Sequence, residues 1–331
     1  MTRALLLRFL LSPALVGVLT ACTTASRPAP VAPAPPCFVV QGSTELRAKD
    51  ASKTLEDLEK HIQLSPEDEA LRDPKSLADL RTILRRDTVY LFANAAAFAR
   101  KLDTVDGRFA EASLELLMGE SQLVGSQVLG SQAAWVGGDL RVARAHLASE
   151  HGEPTTDRGR ILAQLIRVVE EGNKIADALG AVAPAHLARA ADVIRRLKLE
   201  APSDVRTYAL VADYHRLRGE WPEYDAAMVI AETSDRKSPV LCYLRAMEQL
   251  DRFRRPEPAA AAMRECLERF PKLVRGQAAL VLMAKSPPVA LRELQKLKRM
   301  NEDHYLVMLL EPTLAAEQEL TRLHETSNAP R

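Results

Sequence analysis

The sequence lacks an excess of charge of either sign. Its 331 residues include 45 lysines and arginines against 44 aspartates and glutamates, which gives a formal net charge of +1 at pH 7. A protein that binds nucleic acid needs a basic surface to neutralise the phosphates. The balance therefore argues against nucleic acid as a partner.

Cysteine is scarce, and its spacing does not suit a metal. The four cysteines form no C-x-x-C pair, and no cysteine and histidine stand at the spacing of a zinc site. His146 and His151 lie near Glu150, but histidines five residues apart cannot share a helical face as pairs four apart do. No glycine-rich phosphate loop is present either. We predict neither a metal nor a cofactor. The cysteines are Cys22, Cys37, Cys242 and Cys266.

Two-residue alternation of β-branched side chains is nearly absent, and only Cys37–Val40 would suit a short strand. Instead, apolar residues recur every three to four positions in segments rich in Ala, Leu, Arg and Glu. Ser65 can cap a helix that starts at Pro66, and an apolar stripe over residues 161–169 runs towards Gly180. We predict an all-α protein.

Residues 1–21 have the layout of a secretory signal. Arg3 and Arg8 precede an apolar run with no acidic residue. The run is shorter than the ~20 residues of a membrane-spanning helix and is interrupted by Pro13. We expect export from the cytoplasm.

A cysteine ends this segment, and a proline-rich stretch follows. The segment Leu19–Cys22 (LTAC) resembles the lipobox of bacterial lipoproteins, in which the cysteine is lipidated and becomes the first residue. The resemblance implies an acylated (palmitate-bearing) Cys22, and Thr23, where an aspartate would favour inner-membrane retention, points to the outer membrane. Residues 22–36 then form an anchor and a Pro/Ala-rich spacer that favours stiff polyproline II. An ordinary signal peptide is the alternative.

Three segments share a turn pattern in which a glycine stands two residues before a large apolar residue. They begin at Gly107, Gly138 and Gly219. The glycine can end one helix, and the apolar residue can open the packing face of the next. We therefore predict a pair of antiparallel helices joined by a turn at each of these positions.

These units resemble tetratricopeptide repeats, whose helix pairs recur every ~34 residues. In the clearest unit Tyr208 falls on the first helix and Met228 on the second, and the next unit ends at Pro271. The resemblance implies stacked antiparallel helix pairs in a superhelix over residues 88–302. A helical segment (37–87) precedes it, and capping helices with a tail (303–331) follow. An irregular helical bundle is the alternative.

The resemblance also implies where a partner binds. First helices line the concave face in this repeat family, so Tyr208 and His215 are the predicted contacts for a protein partner. A basic turn is either a docking patch for an acidic partner or a solvated loop. It contains Arg252, Arg254 and Arg255.

Two enzymatic interpretations of Gly119–Leu123 fail. A nucleophile elbow requires glycine at Leu123 and a preceding strand. Glu120-Ser121 resembles the Glu-Ser pair of soluble lytic transglycosylases, but the downstream Gly-Leu-Met-Gln segment of that family is replaced by Gly-Ser-Gln-Ala at 130–133. We expect Glu120 to be an exposed helix acid and predict no enzymatic activity.

Cys242 and Cys266 come level in the proposed repeat. Cys242 lies near the start of a first helix and Cys266 near the end of its antiparallel partner. Two outcomes stay open, a disulfide in the shared seam or two thiols packed in the core.

The sequence thus predicts a lipid-anchored envelope protein that faces the periplasm and acts as a helical scaffold for other envelope proteins. Its membrane contact is the N-terminal lipid. One alternative is a solute-binding accessory lipoprotein of a transport system. A peptidoglycan-active enzyme is the other.

Overall fold

The computed structural model describes residues 62–131, 157–234 and 237–311, together with Lys53 and residues 314, 315, 318 and 322. Over these residues the chain is all-α and contains no strand, as predicted. None of the helices in this part is both long and apolar enough to span a bilayer. Cys22, the possible strand Cys37–Val40, the turn at Gly138 and the histidines 146 and 151 lie outside the described residues.

The first described segment is a small helical unit. Ser65 and Ser76 cap its first two helices by accepting hydrogen bonds from the backbone N–H groups of Asp68 and Asp79. The start predicted at Ser65-Pro66 is confirmed, although that helix is only four residues long. The elements are α1 (Pro66–Glu69), α2 (Leu77–Arg86), a 3₁₀ turn (Val89–Leu91) and α3 (Phe92–Lys101).

Two long helices follow, α4 (Val105–Ser131) and α5 (Asp157–Glu200). The stripe predicted to run towards Gly180 lies on α5, which continues through Gly180 and Pro184 to Glu200. Gly180 allows close packing here rather than ending the helix, because an added Cβ would lie 3.1 Å from the Oγ of Ser126 on α4.

Gly107 does not end a helix either, and its predicted role is wrong. It lies in the first turn of α4, where an added Cβ would stand 2.9 Å from the carbonyl oxygen of Ala99 on α3. The glycine therefore lets α3 and α4 approach each other, and the chain turns just before it, at residues 102–104.

Three helical hairpins form the rest of the described chain. Their first helices begin at Val205, Pro239 and Val274, which are 34 and 35 residues apart. Each first helix packs on its own second helix, and successive hairpins stack. They are α6 (Val205–Arg218) with α7 (Trp221–Ser234), α8 (Pro239–Asp251) with α9 (Pro256–Arg269), and α10 (Val274–Leu282) with α11 (Pro287–Met300). Residues 305–311 are helical as well.

The turn predicted at Gly219 is confirmed. Gly219 has φ 70° and follows the last residue of α6 directly. A left-handed residue at this position lets the chain reverse while its N–H satisfies a free helix carbonyl, and glycine adopts it at no steric cost. Tyr224 on α7 is fully buried and donates its hydroxyl to the carbonyl of Leu244 at 3.1 Å.

A disulfide joins the helices of the second hairpin. Cys242 on α8 and Cys266 on α9 are bonded, with their α-carbons 5.8 Å apart. The two cysteines come level across the antiparallel pair, which is the geometry that the proposed repeat register requires.

Helix α4 joins the N-terminal unit to the hairpins. One side of α4 packs on α2 and α3 through Ala110, Leu114 and Met118. Another side, with Phe109 and Leu116, packs on α5 and α6. Its C-terminal part, including Val128, packs on α10 and α11.

Candidate functional site

The two predicted partner contacts lie on α6, two turns apart. The ring of Tyr208 is half-buried and packs against the core that α6 shares with its neighbours. His215 is also half-buried, and its Nδ1 lies 2.7 Å from Oε2 of Glu220. The His215 ring meets Tyr214 edge-on, with their centroids 5.2 Å apart. His215 thus borders the turn at Gly219, whereas Tyr208 contributes to the core.

A buried charge cluster occupies the side of the first helices that faces α4. Glu120 of α4 is at its centre and binds the guanidinium groups of Arg216 on α6 and Arg275 on α10. Nε of Arg275 donates to Oε2 of Glu120 at 2.7 Å. The hydroxyl of Tyr243 on α8 donates to Oε1 of Glu120 at 3.1 Å. One carboxylate of α4 therefore contacts the first helices of all three hairpins.

Two further acids complete this cluster. Asp213 accepts hydrogen bonds from Arg216 at 2.8 and 3.0 Å and pairs with Nη2 of Arg275 at 2.9 Å. Asp251 accepts from Nη1 of Arg216 at 2.6 Å. The ring of Tyr243 lies under the guanidinium of Arg275, 4.2 Å from its centroid, which adds a cation–π contact. Every charge in the cluster thus has a partner of opposite sign.

The pKa shifts in the cluster follow from burial and pairing. Burial raises the pKa of the Tyr243 hydroxyl, and Glu120 adds to this effect. For Asp213, burial opposes ionisation, but the charges of Arg275 and Arg216 outweigh it and hold the pKa below the ordinary value. Burial raises the pKa of Asp251, which Arg216 only partly offsets. The arginines stay charged, so the cluster is suited to holding helices together rather than to transferring protons.

The expectation that Glu120 is an exposed helix acid is wrong. Glu120 is buried because α4 packs against the hairpins at this point. The sequence pattern indicates no site role for its three partners, Arg216, Arg275 and Tyr243. A signal was available for one pair, since Asp213 and Arg216 stand three residues apart beside the buried Val211 and Ala212.

A second charged group links the two long helices. Nδ1 of His186 on α5 lies 2.7 Å from Oε2 of Glu115 on α4, and Nε of Arg189 donates to the same carboxylate at 3.0 Å. Glu115 is buried, whereas Arg189 is largely exposed. The group therefore connects α4 to α5 through the Glu115 carboxylate.

Polar contacts also join the N-terminal unit to the residues after α11. The backbone N–H of Ser65 donates to Asp303 at 3.0 Å, and the side-chain amide of Asn301 donates to the carbonyl of Arg86 at 2.6 Å. His304 is fully buried; its Nδ1 accepts from the N–H of Leu306, so its Nε2 carries the proton that it shares with Asp87 at 3.2 Å. The two ends of the described chain therefore meet.

A groove of about 830 Å³ lies beside this junction, between residues 65–67 and 295–302. Arg86 extends along it and is already paired with Glu67 at 2.9 Å. Lys298 on its other side pairs with Glu311. Arg299 also lines the groove and is exposed, and no carboxylate of the described residues lies within 4.0 Å of its guanidinium, so the groove keeps one unpaired positive side chain.

Among the described residues, no three histidine, cysteine or acidic side chains are arranged to hold a metal ion. Cys22, the predicted lipidation site, is not among them. Compared with known proteins, the chain matches no family model, no curated protein and no solved structure. Interpretation of function therefore depends on the residues of this chain.

Proposed function

We propose that this protein is a lipid-anchored scaffold of a bacterial envelope, which binds another envelope protein through its helical hairpins. The lipobox-like segment Leu19–Cys22 supports the anchor. The hairpin spacing of 34 and 35 residues supports the resemblance to tetratricopeptide repeats, a family that binds other proteins.

The observation that carries the proposal is the disulfide between Cys242 and Cys266. Disulfides form and persist outside the reducing cytoplasm. The pair therefore supports export on grounds that do not involve the N-terminal segment. Two separate parts of the chain thus favour the envelope, and Thr23 after the lipobox-like cysteine supports an outer-membrane anchor that faces the periplasm.

The partner surface is centred on His215. Helix α4 covers part of the face that the first helices present, through Glu120 and its arginines. His215 lies at the end of α6, next to the turn, with Tyr214 and Glu220 around it. Tyr208 packs against the core. It therefore stabilises the position of α6 and does not contact the partner itself.

Crosslinking in intact envelopes, followed by affinity capture, tests this proposal. We expect wild-type protein to capture a discrete envelope protein. Truncating an interface anchor typically costs over ~2 kcal/mol, so His215→Ala should weaken capture at least tenfold. His186→Ala is the matched control, since His186 is also half-buried and paired with a glutamate. Equal loss in both variants would reject the His215 surface.

The same capture separates the rivals. A small molecule that co-purifies without a protein would favour the solute-binding accessory, and peptidoglycan fragments would favour the enzyme. The arrangement around Glu120 supports the scaffold, because its carboxylate is bound by two arginines and a tyrosine rather than turned to a ligand.

A further inference from the structure

The turn between α8 and α9 holds a non-glycine residue in a left-handed conformation. Arg254 has φ 55°. The N–H groups of Arg254 and Arg255 donate to the carbonyls of Leu250 and Gln249, at 3.2 and 2.8 Å, so the turn is well defined. In the preceding hairpin the left-handed position of the corresponding turn is filled by Gly219. A side chain at such a position is sterically unfavourable, so an arginine is kept here against the preference of the backbone.

An exposed aromatic ring stands at the tip of this turn. Phe253 is 43% exposed, although large apolar side chains are usually buried. The guanidinium groups of Arg252 and Arg255 lie over its ring, 5.2 and 5.7 Å from the centroid. Arg252 also lies 5.7 Å from the Trp221 ring at the start of α7. The turn therefore presents an exposed aromatic ring with arginine side chains over it.

The charges of this turn are only partly neutralised. Arg252 pairs with Asp225 at 2.8 Å and with Glu248 at 3.1 Å. Within the part of the chain that the structure describes, no carboxylate comes within 4.0 Å of the guanidinium of Arg254 or Arg255. Both residues are exposed. Two positive charges beside Phe253 are thus available to an anionic partner.

We propose that the turn Arg252–Arg255 docks on the surface of an anionic phospholipid bilayer. Phe253 enters the headgroup region, where aromatic rings are favoured, and Arg254 and Arg255 bind lipid phosphates, which the arginine fork fits. The exposed tip of this turn combines an apolar ring with positive charges. This combination suits the flat, deformable surface of a bilayer better than a preformed pocket on another protein. The proposal depends on the proposed lipid anchor in one respect: a tether at Cys22 keeps the bilayer at high effective concentration, so a weak contact suffices.

Fluorescence quenching in vesicles tests the proposal. The full chain, extracted from membranes and reconstituted, carries Phe253→Trp, and the phospholipids have brominated acyl chains that quench tryptophan at the interface. We expect stronger quenching in vesicles containing phosphatidylglycerol than in pure phosphatidylcholine. Leu199→Trp is the matched control, because Leu199 is an exposed apolar residue near the end of α5, outside the turn under test. Its fluorescence should not respond to phosphatidylglycerol.

A second variant separates charge from folding. In the Phe253→Trp background, Arg254→Gly relieves the left-handed strain while removing one charge. It should keep or raise thermal stability and still weaken the phosphatidylglycerol-dependent contact about fivefold, the weight of one basic residue near an anionic surface. An unchanged contact would mean that the arginine is not engaged and would overturn the proposal.

The remaining outcomes are distinct. If Phe253→Trp is quenched no more in vesicles with phosphatidylglycerol than in pure phosphatidylcholine, the proposal is overturned. If an acidic peptide instead shifts the emission of this tryptophan, the turn binds proteins. If the protein leaves the vesicles in a high-salt wash, yet Phe253→Trp is quenched at low salt, the anchor fails and the turn contact stands.

Discussion

Glu120 is the residue on which the interior ion pairs converge. Its carboxylate is bound by Arg216 and Arg275 and accepts the Tyr243 hydroxyl. Replacing a buried ion pair by apolar groups can be neutral, but removing one partner leaves a charge uncompensated. The stability of the cluster thus depends on its completeness more than on the number of pairs.

We predict that Glu120→Gln lowers the free energy of unfolding by about 3 kcal/mol, because two buried arginines lose their shared carboxylate. Urea denaturation followed by circular dichroism measures it. Glu223→Gln, at an exposed position on α7, is the control and should stay within about 0.5 kcal/mol of wild type. A similar small loss for Glu120→Gln would show that the arginines find other partners.

At the scale of elements, the contact between α4 and α5 depends on pH. Burial alone would raise the pKa of Glu115, but the hydrogen bond from His186 and the charge of Arg189 outweigh it and hold the pKa below the ordinary 4.5. The folded state therefore favours ionised Glu115. Its stabilising contribution is present above pH 4.5 and is lost as the pH falls through the lowered value.

The variant Glu115→Gln tests whether ionised Glu115 stabilises the folded state. The variant should be about 2 kcal/mol less stable than wild type at pH 7, the usual loss for a hydrogen bond to a charged group. The difference should shrink as the pH falls from 5 towards 3. Asp192→Asn, at an exposed site on α5, should leave the pH profile unchanged. If the difference in the free energy of unfolding between wild type and Glu115→Gln stays constant with pH, the pKa of Glu115 is not lowered in the folded state.

The disulfide fixes α8 to α9 and spans 24 residues of sequence. Closing a loop of this size stabilises a fold by roughly 3 kcal/mol. We predict that the double variant Cys242→Ala, Cys266→Ala loses about that amount, and that reductant lowers the melting temperature of wild type but not of the variant. Free alkylation of both cysteines without reductant would show that the bridge is absent in the native protein.

At the scale of the whole molecule, local chemistry predicted the hairpins well. The cap at Ser65, the turn at Gly219 and the helix pairs between Val205 and Pro271 depend on nearby residues, and the structure has them where the sequence indicated. Tertiary packing decided what was wrong. Gly107 permits a close contact between α3 and α4 instead of ending a helix, since a Cβ there would crowd the carbonyl oxygen of Ala99.

The centre of the charge cluster could not be predicted for a similar reason. Arg216 and Arg275 lie 96 and 155 residues after Glu120, and no spacing rule relates such positions. The junction of Ser65 with Asp303 spans 238 residues and is equally hidden.

We propose that a lipid on Cys22 holds the helical part of this protein at a bacterial membrane. Mass spectrometry of the protein extracted from membranes tests this anchor. The mass of the intact chain is measured first, and the N-terminal peptide is then identified after digestion. We predict a chain that begins at Cys22 and carries acyl groups, since a single chain anchors only marginally. A chain that begins at another residue, or an unmodified Cys22, would mean that the protein is not lipid-anchored at Cys22.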